Sequence, residues 1–198
     1  MTSSVVEFPT RVSLTKFEVA SRQLQTAVRL FFLNEDPISI HTLACASREI
    51  FERSAKELDK KRAIDGLSQI YPSLRNPAIF SVLNKKRNFF KHVINSPFET
   101  IEFDDTENEL PLFLACHDCS LLTSPRSPIE IRGYLIWYLM TKTRFDLDKP
   151  EGTEDQIANY ERWILLIREK YPGIMSDDRM KRKSEGSRVI ESMKDEAI

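Results

Sequence analysis

Apolar positions along this chain recur at three- and four-residue spacing in one segment after another, and rarely alternate with period two. The first run, from Lys16 to Leu33, puts Phe17, Ala20, Leu24, Ala27, Val28 and Phe31 on one helical face. Thr15 or Ser13 supplies an N-cap hydroxyl. Asn34 and Asp36-Pro37 end this helix and begin the next, with Asp36 as N-cap and Pro37 in the first turn. The second helix is expected from Pro37 to Lys60, with Ile40, Leu43, Ala44, Ser47, Ile50, Phe51 and Leu58 on its apolar face. So short a connection predicts an antiparallel helical hairpin.

Ala63 to Ile70 forms a short amphipathic piece, bounded by Tyr71-Pro72 and Asn76-Pro77. A stronger helix is expected from Pro77 to Ile94, closed by Ser96-Pro97. Phe98 to Asp105 reads as a loop with one short extended stretch, Thr100 to Phe103. Three capping boxes follow, at Thr106–Glu109, Ser127–Glu130 and Thr153–Gln156. They announce helices over roughly 107–122, 128–143 and 154–170. After Tyr171-Pro172-Gly173 the pattern fades, and residues 173–198 read as a charged tail, either a frayed helix or disordered. The expected fold is therefore all-α, a bundle of about six to seven helices. The helical domain is expected over residues 15–172, behind an N-terminal extension of residues 1–14.

Composition sharpens this picture at a few points. Five glycines against ten prolines suit helices punctuated by proline rather than β-sandwiches or glycine-rich phosphate loops. A net charge of -1 gives no global pull toward nucleic acid or membrane, so any anion must meet a local patch. No apolar run approaches the roughly 20 residues of a membrane-spanning helix. The opening MTSSVVEFPT lacks a basic segment followed by an apolar one, so the expectation is a cytoplasmic protein with three free thiols.

The helix ending near Ile94 carries the strongest chemical signal. On a wheel of roughly 100° per residue, Lys85, Asn88, Lys91, His92 and Asn95 fall within about 120° of one another, with Arg87 at the margin. Ile79, Val82, Leu83, Phe89, Phe90, Val93 and Ile94 occupy the opposite face. Cleavage of RNA through its 2′-hydroxyl needs a base, an acid for the leaving oxygen and a cation for the developing charge. Histidine and arginine serve those roles without a metal or other cofactor. The same residues also have a purely structural use, because bases near a helix C-terminus offset the macrodipole and cap the last carbonyls.

Arg87-Asn88-Phe89-Phe90-Lys91-His92 resembles the signature of the HEPN superfamily of helical proteins, many of them metal-independent ribonucleases of toxin–antitoxin and antiphage systems. That signature is an arginine, then a polar residue, then a histidine four to six positions after the arginine. The chain also resembles uncharacterised HEPN-like bacterial proteins with an Asn-Phe-Phe-Lys-His core. The resemblance implies catalytic roles for Arg87 at the scissile phosphate, Asn88 as its polar partner and His92 in proton transfer. Lys85, Lys91 and Asn95 would then assist binding. It further implies a homodimer, an RNA substrate and an antitoxin-like protein partner. A reading from a different class keeps the fold and drops the chemistry, leaving a non-catalytic, homodimeric interaction protein.

Other features compete less strongly. Cys116-His117-Asp118-Cys119, joined by His41 and Cys45, offers four soft ligands for zinc, but it lacks a glycine knuckle and sits among leucines. Asp104-Asp105 suits the start of the following helix. The apolar run from Gly133 to Met140, and Trp163 to Ile167, are expected as core or as an oligomer face.

Overall fold

Local signals set most helix ends. The Glu18 N–H donates to the Thr15 hydroxyl at 3.1 Å, and the Thr15 N–H donates to the Glu18 carboxylate at 2.8 Å. This reciprocal box starts α1 (Lys16–Phe32). Asp36 accepts from the Ser39 N–H at 2.9 Å and starts α2 (Pro37–Glu57), with proline in the first turn as expected. Asn34, in the left-handed region at φ 57°, turns the chain between them. The ring of Phe17, at the start of α1, meets that of Phe51, near the end of α2, edge-on at 5.2 Å. The two helices are therefore the antiparallel hairpin the connection predicts.

The computed structural model describes residues 11–70, 76–93, 96–142 and 154–195. Beyond the hairpin it contains α3 (Ala63–Ile70), α4 (Asn76–Lys91), α5 (Glu109–Thr123), α6 (Ile129–Lys142), α7 (Glu154–Lys170) and α8 (Arg179–Asp195). Short 3₁₀ turns occupy Asp105–Asn108 and Pro172–Met175. Among the described residues there is no strand, and no helix is long and apolar enough to cross a membrane. The chain is all-α. The extended stretch expected at 100–103 has no strand partner and is an irregular link.

Two of the three expected capping boxes differ from expectation. The 3₁₀ turn is capped by Asp104, which accepts from the Thr106 N–H at 2.8 Å, while Glu107 reaches back to the Asp104 N–H at 3.0 Å. Glu109 cannot serve Thr106, because Arg179 and Lys142 hold its carboxylate at 3.1 and 2.8 Å. The Ser127 hydroxyl turns back to α5, meeting Ser120 Oγ at 3.1 Å and Thr123 Oγ1 at 3.0 Å. Thr153 lies outside the described residues.

The core forms where α1, α2, α5, α6 and α8 meet. Phe31 meets Tyr134 and Trp137 edge-on at 5.5 and 5.1 Å, and Phe32 meets Trp137 at 5.6 Å. The polar ends of the buried rings are satisfied. The Tyr134 hydroxyl donates to the Glu109 carbonyl at 2.9 Å, and the Trp137 N–H donates to the Arg182 carbonyl at 2.8 Å. The run around Gly133 to Met140 is thus core. Trp163, Ile164 and Ile167 of α7 pack against it, while Leu165 and Leu166 stay exposed.

The segment 173–198, expected as a loose tail, instead brings α8 into that core and takes the count to eight helices among the described residues. Charge alone misleads here, because the polar residues have partners. The Lys183 side chain is 1 % exposed. Its ammonium reaches Asp105 at 2.7 Å and Asn34 Oδ1 at 3.2 Å, and it lies 4.1 Å from the centre of the Phe31 ring. Arg179 closes on the same carboxylate. Burial pulls Asp105 upward, yet Lys183 and Arg179 outweigh it and hold its carboxyl below the usual range.

Close approach completes the docking of α8. A Cβ on Gly133 would run into Ile190, and one on Gly186 would overlap the Phe32 ring and lie 2.8 Å from Trp137 Cδ1. Alanine at Gly186 improves helix propensity by up to ~1 kcal/mol, but overpacking a rigid aromatic cluster costs about 1–3 kcal/mol. Gly186→Ala is therefore expected to lower the free energy of unfolding in urea denaturation by about 1–2 kcal/mol. An unchanged or higher stability would contradict the close seating of α8.

Candidate functional site

α4 is held on the bundle from two sides. Near its middle, Leu83 packs with Ala63, Ile64 and Leu114 in a small satellite core. α3, which supplies two of those residues, is itself fixed by Asp118. That buried carboxylate accepts from the Ala63 N–H at 2.7 Å. Toward the C-terminus of α4, Phe90, Phe103 and His41 form a nest of edge-on rings with centres 5.1 to 5.4 Å apart. Lys86 lies across Phe103, pairs with Glu107 at 3.2 Å and donates to the Glu102 carbonyl.

His41 is the hidden member of this nest. Asn108 gives its amide N–H to the Pro37 carbonyl at 3.0 Å, so its Oδ1 is the acceptor facing His41 Nδ1 at 3.1 Å. Nδ1 therefore carries the proton, and buried Nε2 has no partner among the described residues. Burial pushes the His41 pKa below its ordinary value, with the Asn108 bond opposing.

The motif residues fall around the exposed end of α4. Arg87 and Asn88 are together, with the guanidinium donating to Asn88 Oδ1 at 3.2 and 3.4 Å. Arg87 also pairs with Glu49 of α2 at 3.1 Å. The helix ends at Lys91, not Ile94. The His92 N–H donates to the Asn88 carbonyl at 2.9 Å, and His92 is exposed just beyond the last turn. The helical phase is lost there, so Val93, expected on the apolar face, is 71 % exposed. Lys85 and Lys91 are exposed, and Asn95 lies outside the described residues.

Arg87 lines a cleft of about 430 Å³ between α2 and α4. Arg48, Glu52, Arg62 and Asn84 line it too, and none of them belongs to the motif. Arg48 is buried, donating to Asn84 Oδ1 at 3.0 Å and pairing with Glu52 at 3.4 Å. Arg62 pairs with Glu52 at 3.0 Å and with Asp65 at 2.7 Å. Burial raises the Glu52 pKa despite both arginines. Lys91 lines a neighbouring hollow with Phe17 and Ile50, and His92 lines neither. The structure thus places Arg87, bonded to Asn88, on the wall of a basic cleft and leaves His92 at its own exposed position.

One signal in the sequence pointed to this cleft. Arg48 sits among Ala44, Ser47, Phe51 and Ala55, on the buried side of α2. A charged residue on an apolar stripe is rarely accidental.

The residues of the zinc alternative do not form a metal site among the described residues. Cys45, Cys116 and Cys119 are buried free thiols. Among the described residues no three His, Cys, Asp or Glu side chains gather to hold a metal. Burial raises the thiol pKa of Cys45 and Cys119 to about 11 and pushes that of Cys116 well above its ordinary value. Compared with protein-family models, curated proteins and solved structures, the chain matches none.

The His41 geometry has a pH consequence. Its folded pKa lies below the ordinary 6.5, so on acidification the unfolded chain takes up the proton first. Its contribution to stability is full above pH 6.5 and falls as pH drops below that value. Wild-type stability should fall as the pH drops below that value, by at most about 1.4 kcal/mol per pH unit. Denaturation series should show that slope missing in His41→Gln, and an identical slope in both proteins would contradict the assignment.

Proposed function

We propose that the chain is a HEPN-like, metal-independent ribonuclease acting as a homodimer. What supports this most is the direct bond between the Arg87 guanidinium and Asn88 Oδ1 at the wall of a basic cleft, with His92 one turn further on and open to solvent. Arg87 would exchange Glu49, whose side chain is 59 % exposed, for a phosphate oxygen. Asn88 would keep the guanidinium oriented.

The chemistry balances with two proton transfers. A base removes the 2′-hydroxyl proton, the oxygen attacks phosphorus, and an acid protonates the departing 5′-oxygen, leaving a 2′,3′-cyclic phosphate. One imidazole per chain serves one of these steps, and His92 of a second copy would serve the other. This is the chemical argument for a homodimer. The observation favouring the other reading, a non-catalytic interaction protein, is that Arg87 is already paired while His92 does not line the cleft. An antitoxin-like partner would fit either reading.

The test is cleavage of mixed cellular RNA in the presence of a chelator. Wild type should release fragments ending in cyclic phosphate, and His92→Ala should lower the rate by about 10²–10⁴-fold. Arg87→Ala should cost a similar factor through lost charge stabilisation. No cleavage by a folded wild type would favour the interaction protein.

A further inference from the structure

The cleft between α2 and α4 has an electrostatic surplus that its own contacts do not consume. Five cationic side chains line it, Arg48, Arg53, Lys56, Arg62 and Arg87, against the two carboxylates Glu49 and Glu52. Counting Asp65, which pairs with Arg62, and Glu57, which pairs with Arg53 at 3.5 Å, both from outside the lining, an excess of one positive charge remains. The chain as a whole carries -1, so this is a local concentration of charge.

Arg48 is the second observation. Its side chain is only 3 % exposed, and among the described residues its one carboxylate contact is long at 3.4 Å and its buried Nε–H has no partner. A buried guanidinium left short of acceptors is costly, and an anion in the cleft would relieve it. Planar guanidinium groups favour the paired oxygens of phosphate. Among the described residues no apolar or aromatic side chain lines the cleft. Its volume admits more than a single small ion.

We infer that this cleft is a binding site for consecutive phosphate groups, with Arg48, Arg62 and Arg87 as its donors and Arg53 and Lys56 at its rim. Asn84 positions Arg48 by accepting from its guanidinium. The ligand is either a free oligophosphate or the sugar–phosphate backbone of a single strand, and the chemistry recognised is the same. The site shares Arg87 with the ribonuclease reading but does not depend on it, because it requires neither His92 nor cleavage.

The test is binding to the full chain, read without turnover. Tripolyphosphate is titrated by calorimetry, and a 2′-O-methyl oligouridine, which has no free 2′-hydroxyl to attack, by fluorescence anisotropy. Tripolyphosphate should bind one per chain and weaken with added salt. Arg62→Gln and the exposed-rim pair Arg53→Gln/Lys56→Gln should each weaken it by about tenfold. The rim pair keeps the test valid if Arg62→Gln unfolds the chain. Displacement of the oligouridine by tripolyphosphate would identify the strand backbone as ligand, and binding of tripolyphosphate alone would identify a free oligophosphate. Absence of binding to both probes, or binding that the rim pair leaves unchanged, would overturn the inference. A protein that binds but never cleaves RNA would retain this site and lose the nuclease reading.

Discussion

Lys183 rides into the interior on the most charged helix of the chain, and its ammonium meets Asp105 at 2.7 Å over the face of Phe31. Removing a lysine from water is expensive unless it is paired, and here a carboxylate, an amide oxygen and a ring share that task. Asp105 opens the 3₁₀ turn whose last residue, Asn108, grips His41 and the Pro37 carbonyl. His41 supports Phe90 and Phe103, and Phe90 belongs to α4. A continuous series of contacts therefore runs from α8 through the core to the helix that carries Arg87.

That arrangement places α4 against α2 at a fixed height, so that Arg87 and Arg48 look into one cleft from opposite walls. The arginines are held by carboxylates and an amide rather than by packing alone. Such contacts keep cations in place while leaving them exchangeable for phosphate oxygens. The proposed chemistry needs this combination of a rigid helix and replaceable counter-charges. It also needs His92 to be free, and the end of α4 at Lys91 leaves it outside the helix.

The helices with an apolar stripe were legible from spacing. α1, α2, α3 and α7 begin at the expected residues. α8 was not legible, because its partners are charges on distant segments. Asp105 and Lys183 are 78 residues apart, and no local pattern links them. The capping box at Thr106 failed for a related reason, since Glu109 is claimed by Arg179 and Lys142. At the site, Arg87, Asn88 and His92 were visible as a motif, whereas Arg62, Asn84 and Glu52 come together only through the packing of α2, α3 and α4.

The dependence of α4 on the buried nest is open to direct measurement by amide hydrogen exchange in wild type and Asn108→Ala. Losing Asn108 frees His41 Nδ1 and the Pro37 carbonyl together. Amides from Asn88 to His92 should exchange about tenfold faster or more in the variant, while those of Leu24 to Phe31 in α1 keep their protection. Unchanged exchange at the end of α4, or a uniform increase across both helices, would contradict that dependence.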